Sequence, residues 1–120
     1  MTNEVVYEYD DEAYSIAEFD HYQYLTAQTA VYPKEKELEY LTLGLVGEAG
    51  ELANKVKKIL RGDKVLNKED MASELSDCLW YTARLADALG YDLHKIAEMN
   101  IEKLMDRKKR GVLKGSGDNR

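Results

Sequence analysis

The chain has 120 residues, of which 44% are hydrophobic and 33% charged, as befits one folded domain rather than a disordered segment. A net charge of −6 argues against general nucleic-acid binding, and the apolar runs are too short to span a bilayer. No basic-then-apolar leader opens the sequence, and a single cysteine, Cys78, excludes an intrachain disulfide and a cysteine-built zinc site, so a cytoplasmic protein with no membrane partner is expected.

The charge is unevenly placed. The first twenty residues hold seven acids and no Lys or Arg. Residues 103–120 hold seven basic side chains against Asp106 and Asp118, a net +5 that leaves −11 on the rest. Residues 1–14, acidic and Tyr-rich without periodicity, read as an extended arm. Ser15-Ile16-Ala17-Glu18 has the form of a capping box and predicts a first helix over about 16–30. Pro33 breaks it. A second helix is predicted from Lys36 to Leu60, stopped by Gly62. Asn67 can cap a third over 68–89, stopped by Gly90, and Asp92 a fourth over 93–110, stopped by Gly111. The chain therefore divides into the arm (1–14), a helical domain (15–110) and a Gly-rich basic loop tail (111–120). With no β-type alternation, the fold class is all-α, resembling a four-helix bundle.

At about 100° per residue the helix faces can be assigned. Leu38, Leu41, Leu45, Leu52, Val56 and Ile59 form one stripe of the second helix, while Leu43, Val46 and Leu60 point elsewhere. A helix apolar on more than one side favours a subunit interface. Met71, Cys78, Leu85 and Leu89 form the stripe of the third. In the fourth, Asn100, Lys103 and Arg107 share a face with Leu93, Ile96, Ala97 and Leu104. Gly44, Gly47 and Gly50 each cost the second helix about 1 kcal/mol relative to Ala, which suggests close approach by a helix or a ligand.

Two acidic pairs carry the chemistry. Glu48-Ala49-Gly50-Glu51 and Glu74-Leu75-Ser76-Asp77 are both spaced i, i+3, so each sets two carboxylates on one side of its helix, close to the apolar stripe. A lone pair of this kind is usually a solvated face. Two pairs leaning toward one core need a counter-charge, and a divalent cation is the simplest. Four carboxylates with no soft ligand suit Mg²⁺, with Mn²⁺ as the alternative, rather than zinc or copper. The Glu-x-x-His motif of di-iron bundles is absent. Mg²⁺ commonly bridges substrate phosphates, and Lys103 and Arg107 would meet the remaining phosphate charge. Lys55 reads first as an i+4 partner of Glu51 and second as a phosphate contact.

The ordered set Glu48-x-x-Glu51, Glu74-x-x-Asp77 and Asn100-x-x-Lys103 resembles the MazG-type all-α nucleoside triphosphate pyrophosphohydrolases. Leu43-Gly44-Leu45-Val46-Gly47-Glu48-Ala49-Gly50-Glu51 and Leu75-Ser76-Asp77-Cys78-Leu79-Trp80-Tyr81 are close to that family's pattern, and Gly115-Ser116-Gly117-Asp118-Asn119-Arg120 is similar to the tail of its small single-domain members. The resemblance implies hydrolysis of a nucleoside triphosphate between the α- and β-phosphates, giving a monophosphate and pyrophosphate in nucleotide-pool housecleaning. It implies that Glu48, Glu51, Glu74 and Asp77 hold Mg²⁺ and that Glu48 or Glu51 is the general base. It places Asn100 and Lys103 on the nucleotide, Tyr81 at its sugar or base, and Gln23 in the same pocket. It also implies a homodimer or homotetramer with sites near subunit contacts. Two rivals stand beside this reading: a phosphoribosyl-ATP pyrophosphohydrolase, and a non-catalytic helical module that binds nucleotides or oligomerises. Lys114 or Arg120 of the tail is expected to reach a phosphate in a neighbouring subunit's site.

Overall fold

The computed structural model describes residues 18–119, so the expected arm, Ser15 and Arg120 lie outside the described residues. Within them the architecture is all-α, with four helices and no strand. Helix α1 spans Phe19–Thr26, α2 Glu37–Leu60, α3 Lys68–Ala88 and α4 Leu93–Lys109. Single 3₁₀ turns at Ala27–Thr29 and Lys34–Lys36 flank Pro33. None of these helices is long and apolar enough to cross a membrane.

The bounds of α2 and α3 and the end of α4 follow their expected signals. Asn67 has extended dihedrals, and its side-chain oxygen accepts the Asp70 N–H at 3.1 Å, which satisfies one of the orphan donors at the start of α3. Gly90 ends that helix with φ +80, a left-handed value that glycine adopts without strain.

The first helix departs from expectation. Glu18 is extended (φ −159, ψ 168), so it is the residue before the helix and not the third residue of a capped turn. The helix therefore starts at Phe19, and it passes into 3₁₀ geometry at Ala27. Asp92 also departs: its side chain caps nothing. The first two amides of α4 are taken from a distance instead. Gln23 Oε1 accepts the Leu93 N–H at 2.9 Å, and Asp20 Oδ1 accepts the His94 N–H at 3.1 Å. These acceptors lie about seventy residues away in sequence, so a reading of local capping could not find them.

Helices α2 and α3 form the central hairpin. Gly44 meets Tyr81, Glu48 meets Asp77 and Lys55 meets Asp70, so each step forward along α2 is matched by an equal step back along α3. That is an antiparallel register. Helix α1 packs across α3 and α4, with its polar side chains inward. Gln23 Nε2 donates to the Ala83 and Tyr91 carbonyls at 3.3 and 3.0 Å, and Arg84 Nη1 donates to Thr26 Oγ1 at 3.4 Å. No buried side-chain nitrogen or oxygen among the described residues lacks a partner, as burial of polar groups demands.

The apolar core of one chain is small. Among the described residues, Leu41, Ala83, Ala86 and Leu93 are its buried hydrophobic members. Leu43 (72%), Val46 (66%) and Leu60 (83%), the residues expected to point off the main stripe of α2, are exposed. Leu38 and Val56, assigned to the stripe, are also exposed.

Candidate active site

The register of the hairpin places Glu48 of α2 opposite Asp77 of α3, with Glu74 one turn from Asp77 on the same helix. One carboxylate oxygen from each of Glu48, Glu74 and Asp77 lies within 4.8 Å of the other two. Oxygens around an octahedral Mg²⁺ at about 2.1 Å stand roughly 3–4 Å apart, so the trio needs little closing to bind one. Glu48 and Glu74 are half-buried and Asp77 is exposed, which leaves an open side for water or a substrate oxygen. All three are hard oxygen donors, a set that fits Mg²⁺ or Mn²⁺ and lacks the nitrogen or sulfur that zinc prefers.

The fourth acid stands apart. Glu51, expected in the same cluster, is exposed and outside the three-oxygen group. A step of three residues turns a helix by about 300°, so when Glu48 points at α3, Glu51 sits to one side. Its charge still reaches Glu48. Burial, then the charge of Asp77, then a hydrogen bond to Glu74 and the charges of Glu74 and Glu51 all push the Glu48 carboxyl above its ordinary range. The site therefore holds more negative charge than it can comfortably ionise, the condition a cation relieves.

Lys55 supplies part of the counter-charge. Its ammonium pairs with Asp70 at 2.5 Å and Glu74 at 3.1 Å, and it is these two acids, rather than its expected partner Glu51, that hold it. The hydrogen bond to Asp70 is the largest of the effects that push its pKa up.

Beside the acids lies a groove of about 320 Å³ lined by Thr29, Glu48, Asp77, Trp80 and Tyr81. Its apolar wall is built from a chain of rings. Tyr32 stacks on Tyr40 at 5.3 Å, Trp80 meets Tyr32 edge-on at 6.4 Å, and Tyr81 meets Trp80 edge-on at 5.0 Å. Trp80 Nε1 donates to Thr29 Oγ1 at 2.8 Å, which fixes the indole at the mouth. Burial foremost, then Tyr40, raises the Tyr81 phenol, with smaller contributions from Glu48 and Asp77. Tyr22 of α1 is similarly raised, first by burial and then by Asp77, so it too stands near the acids. Thr29, Trp80 and Tyr22 were not assigned to the site from sequence. Adjacency to Tyr81 was the available signal for Trp80; nothing local marked the other two.

None of the remaining expected residues is in the acid trio or lines the groove of this single chain. Gln23 is buried, and its amide holds the turn between α3 and α4. Asn100 is exposed on α4. Lys103 Nζ and Arg107 Nη2 both donate to Asp118 Oδ1 of the tail, at 3.3 and 2.9 Å. Helix α4 packs on α1 and α3 and makes at most marginal contact with α2.

Comparison with known proteins gives the chain a family. The model of the MazG nucleotide pyrophosphohydrolase domain matches residues 36–112, which include both acidic pairs and all of α2, α3 and α4. The Gene 37 protein of Mycobacterium phage L5 is 50% identical, in an alignment that covers 84% of this chain and 97% of that protein. No solved structure matches the chain.

Proposed function

Because this chain belongs to the MazG nucleotide pyrophosphohydrolase family, we propose that it hydrolyses nucleoside triphosphates, ribo or deoxyribo, to the monophosphate and pyrophosphate. The observation that supports this most strongly is the convergence of Glu48, Glu74 and Asp77 from two helices on one point beside an aromatic groove. Glu48, Glu74 and Asp77 would hold Mg²⁺, which when bound neutralises phosphate charge and lowers the pKa of water. Glu51, one turn from Glu48 and outside the trio, is the acid left to accept the proton of the attacking water. Tyr81 and Trp80 offer apolar ring surface to the sugar or base. Asn100, Lys103 and Arg107 carry the donors and positive charge that a polyphosphate needs, with Lys55 balancing Glu74 from the side.

Assembly belongs to the same proposal. Leu43, Val46, Gly47 and Gly50 are spaced i, i+3, i+4, i+7 on one side of α2, and Leu75 and Leu79 are exposed on α3. A Cβ at Gly47 or Gly50 would meet nothing within 4 Å in one chain. An apolar helix face with a small-residue groove, beside a core this small, is suited to a second copy of the chain, as a homodimer or as half of a homotetramer.

Anion-exchange analysis of the products from a nucleotide panel tests the reaction. Equimolar monophosphate and pyrophosphate are expected; diphosphate with orthophosphate would overturn the assignment of the cleaved bond.

A further inference from the structure

The contact between the tail and α4 plays no part in the reaction described above. Asp118 uses one oxygen, Oδ1, to accept from both Lys103 Nζ and Arg107 Nη2. The Arg107 side chain is only 5% exposed, whereas that of Asp118 is 78% exposed. A nearly buried guanidinium needs a counter-charge, since a buried cation without one is strongly destabilising. The carboxylate that supplies it comes from the loop after Gly115-Ser116-Gly117, outside any helix, and an exposed partner of that kind is weakly held.

We propose that Asp118 is a built-in stand-in for a phosphate, which occupies the Lys103–Arg107 anion site in the free protein and is displaced by the phosphates of an incoming nucleotide. The proposal rests on the reading of Lys103 and Arg107 as phosphate contacts. Carboxylate and phosphate present the same oxygen chemistry to Lys and Arg, and one oxygen shared between two cations is an arrangement that a phosphate oxygen can reproduce. Both anions cannot hold the same donors, because two like charges would then be forced together. The hydrogen bond to Arg107, and then that to Lys103, hold the Asp118 carboxyl below the ordinary carboxylate range, so at neutral pH it is ionised and competes. The tail residue that meets Lys103 and Arg107 is thus an acid. Within one chain this contact competes with phosphate, and it is separate from any reach of Lys114 or Arg120 into a neighbouring subunit's site.

The competition has a measurable size. When a site is open only part of the time, apparent affinity falls by the open fraction, and an exposed ion pair of this kind shifts such a balance by about 2–10-fold. The test is calorimetric titration of inorganic pyrophosphate into the full-length protein, Asp118→Asn and Asp118→Glu, in metal-free buffer of low ionic strength. Asp118→Asn is expected to bind about 3–10-fold more tightly, and Asp118→Glu to stay close to the parent. Pyrophosphate should also accelerate tryptic cleavage after Lys114 in the parent, as the tail is released. Unchanged or weaker binding by Asp118→Asn, a tail that stays protected, or no pyrophosphate binding by any of the three would overturn the proposal. With nucleotide as substrate, Asp118→Asn should lower KM by the same factor and leave kcat unchanged. A protein that turns over no nucleotide would refute the hydrolase reading, while the pyrophosphate titration would still decide the role of Asp118.

Discussion

The ring of Tyr81 in α3 lies so close to the backbone of Gly44 in α2 that no Cβ fits between them. This one contact sets the distance between the two helices one turn away from Glu48 and Asp77. The same ring meets Trp80 edge-on in the apolar wall of the groove. A helix normally gains about 1 kcal/mol when Gly becomes Ala. Here the added methyl must displace an aromatic ring from a packed contact, a close clash that costs roughly 2–3 kcal/mol, the upper part of the range for overpacking.

Gly44→Ala is therefore expected to destabilise the protein by about 1–2 kcal/mol on balance, and to weaken nucleotide binding by shifting Tyr81. Urea denaturation followed by far-UV circular dichroism measures the first effect. A variant as stable as the parent would show that Tyr81 does not need the bare backbone.

Val46 faces solvent at the centre of the proposed subunit contact. Val46→Asp should abolish assembly, because an unpaired carboxylate would be buried between two copies. Light scattering coupled to size exclusion should give a multiple of 13.7 kDa for the parent and a monomer for the variant. A monomeric parent would refute the use of this face.

Glu51 and Glu74 separate the two roles proposed for the acids. Glu74→Gln should lose divalent metal affinity by about 10-fold or more, as loss of a ligand requires. Glu51→Gln should keep metal affinity within a few-fold and lose turnover by about 100-fold or more. Titration with Mn²⁺ monitored by electron paramagnetic resonance distinguishes them. Full activity in a folded Glu51→Gln protein would remove Glu51 from the mechanism.

The raised pKa of Glu48 gives a pH dependence of definite sign. In the metal-free fold Glu48 keeps its proton to a higher pH than in the unfolded chain. Between those two values the folded state binds more protons, so stability falls as pH rises through the window. A cation that replaces the proton offsets that loss, and stabilisation by ligand grows with its affinity. The gain in Tm on adding Mg²⁺ should therefore be larger at about pH 8 than at about pH 5. An equal gain at both values would mean that Glu48 does not hold the metal.

Much of this was legible in the sequence because it rests on local rules. Asn67 and Gly90 mark the ends of α3 through backbone chemistry that depends only on near neighbours. The acidic pairs were visible because i, i+3 spacing is a property of any helix. Which acid of the α2 pair faces α3 was not visible, since that depends on how the two helices are rotated against each other; Glu48 turns in and Glu51 does not. Glu18 was misread because a capping-box pattern cannot reveal that the chain is still extended at that residue. Gln23 and Asp20 cap α4 from another helix, and Asp118 reaches back to Lys103 and Arg107. Contacts of this kind exist only once the fold has formed.

In the proposed reaction Glu48, Glu74 and Asp77 hold the divalent cation on which hydrolysis depends. The most direct test measures pyrophosphate release against Mg²⁺ concentration for the parent and for Asp77→Asn, with EDTA as the baseline. The expected result is a saturable requirement for Mg²⁺, no release in EDTA, and a half-saturating concentration raised about 10-fold or more in Asp77→Asn. Pyrophosphate release that survives EDTA, or a folded Asp77→Asn protein with an unchanged metal requirement, would contradict it.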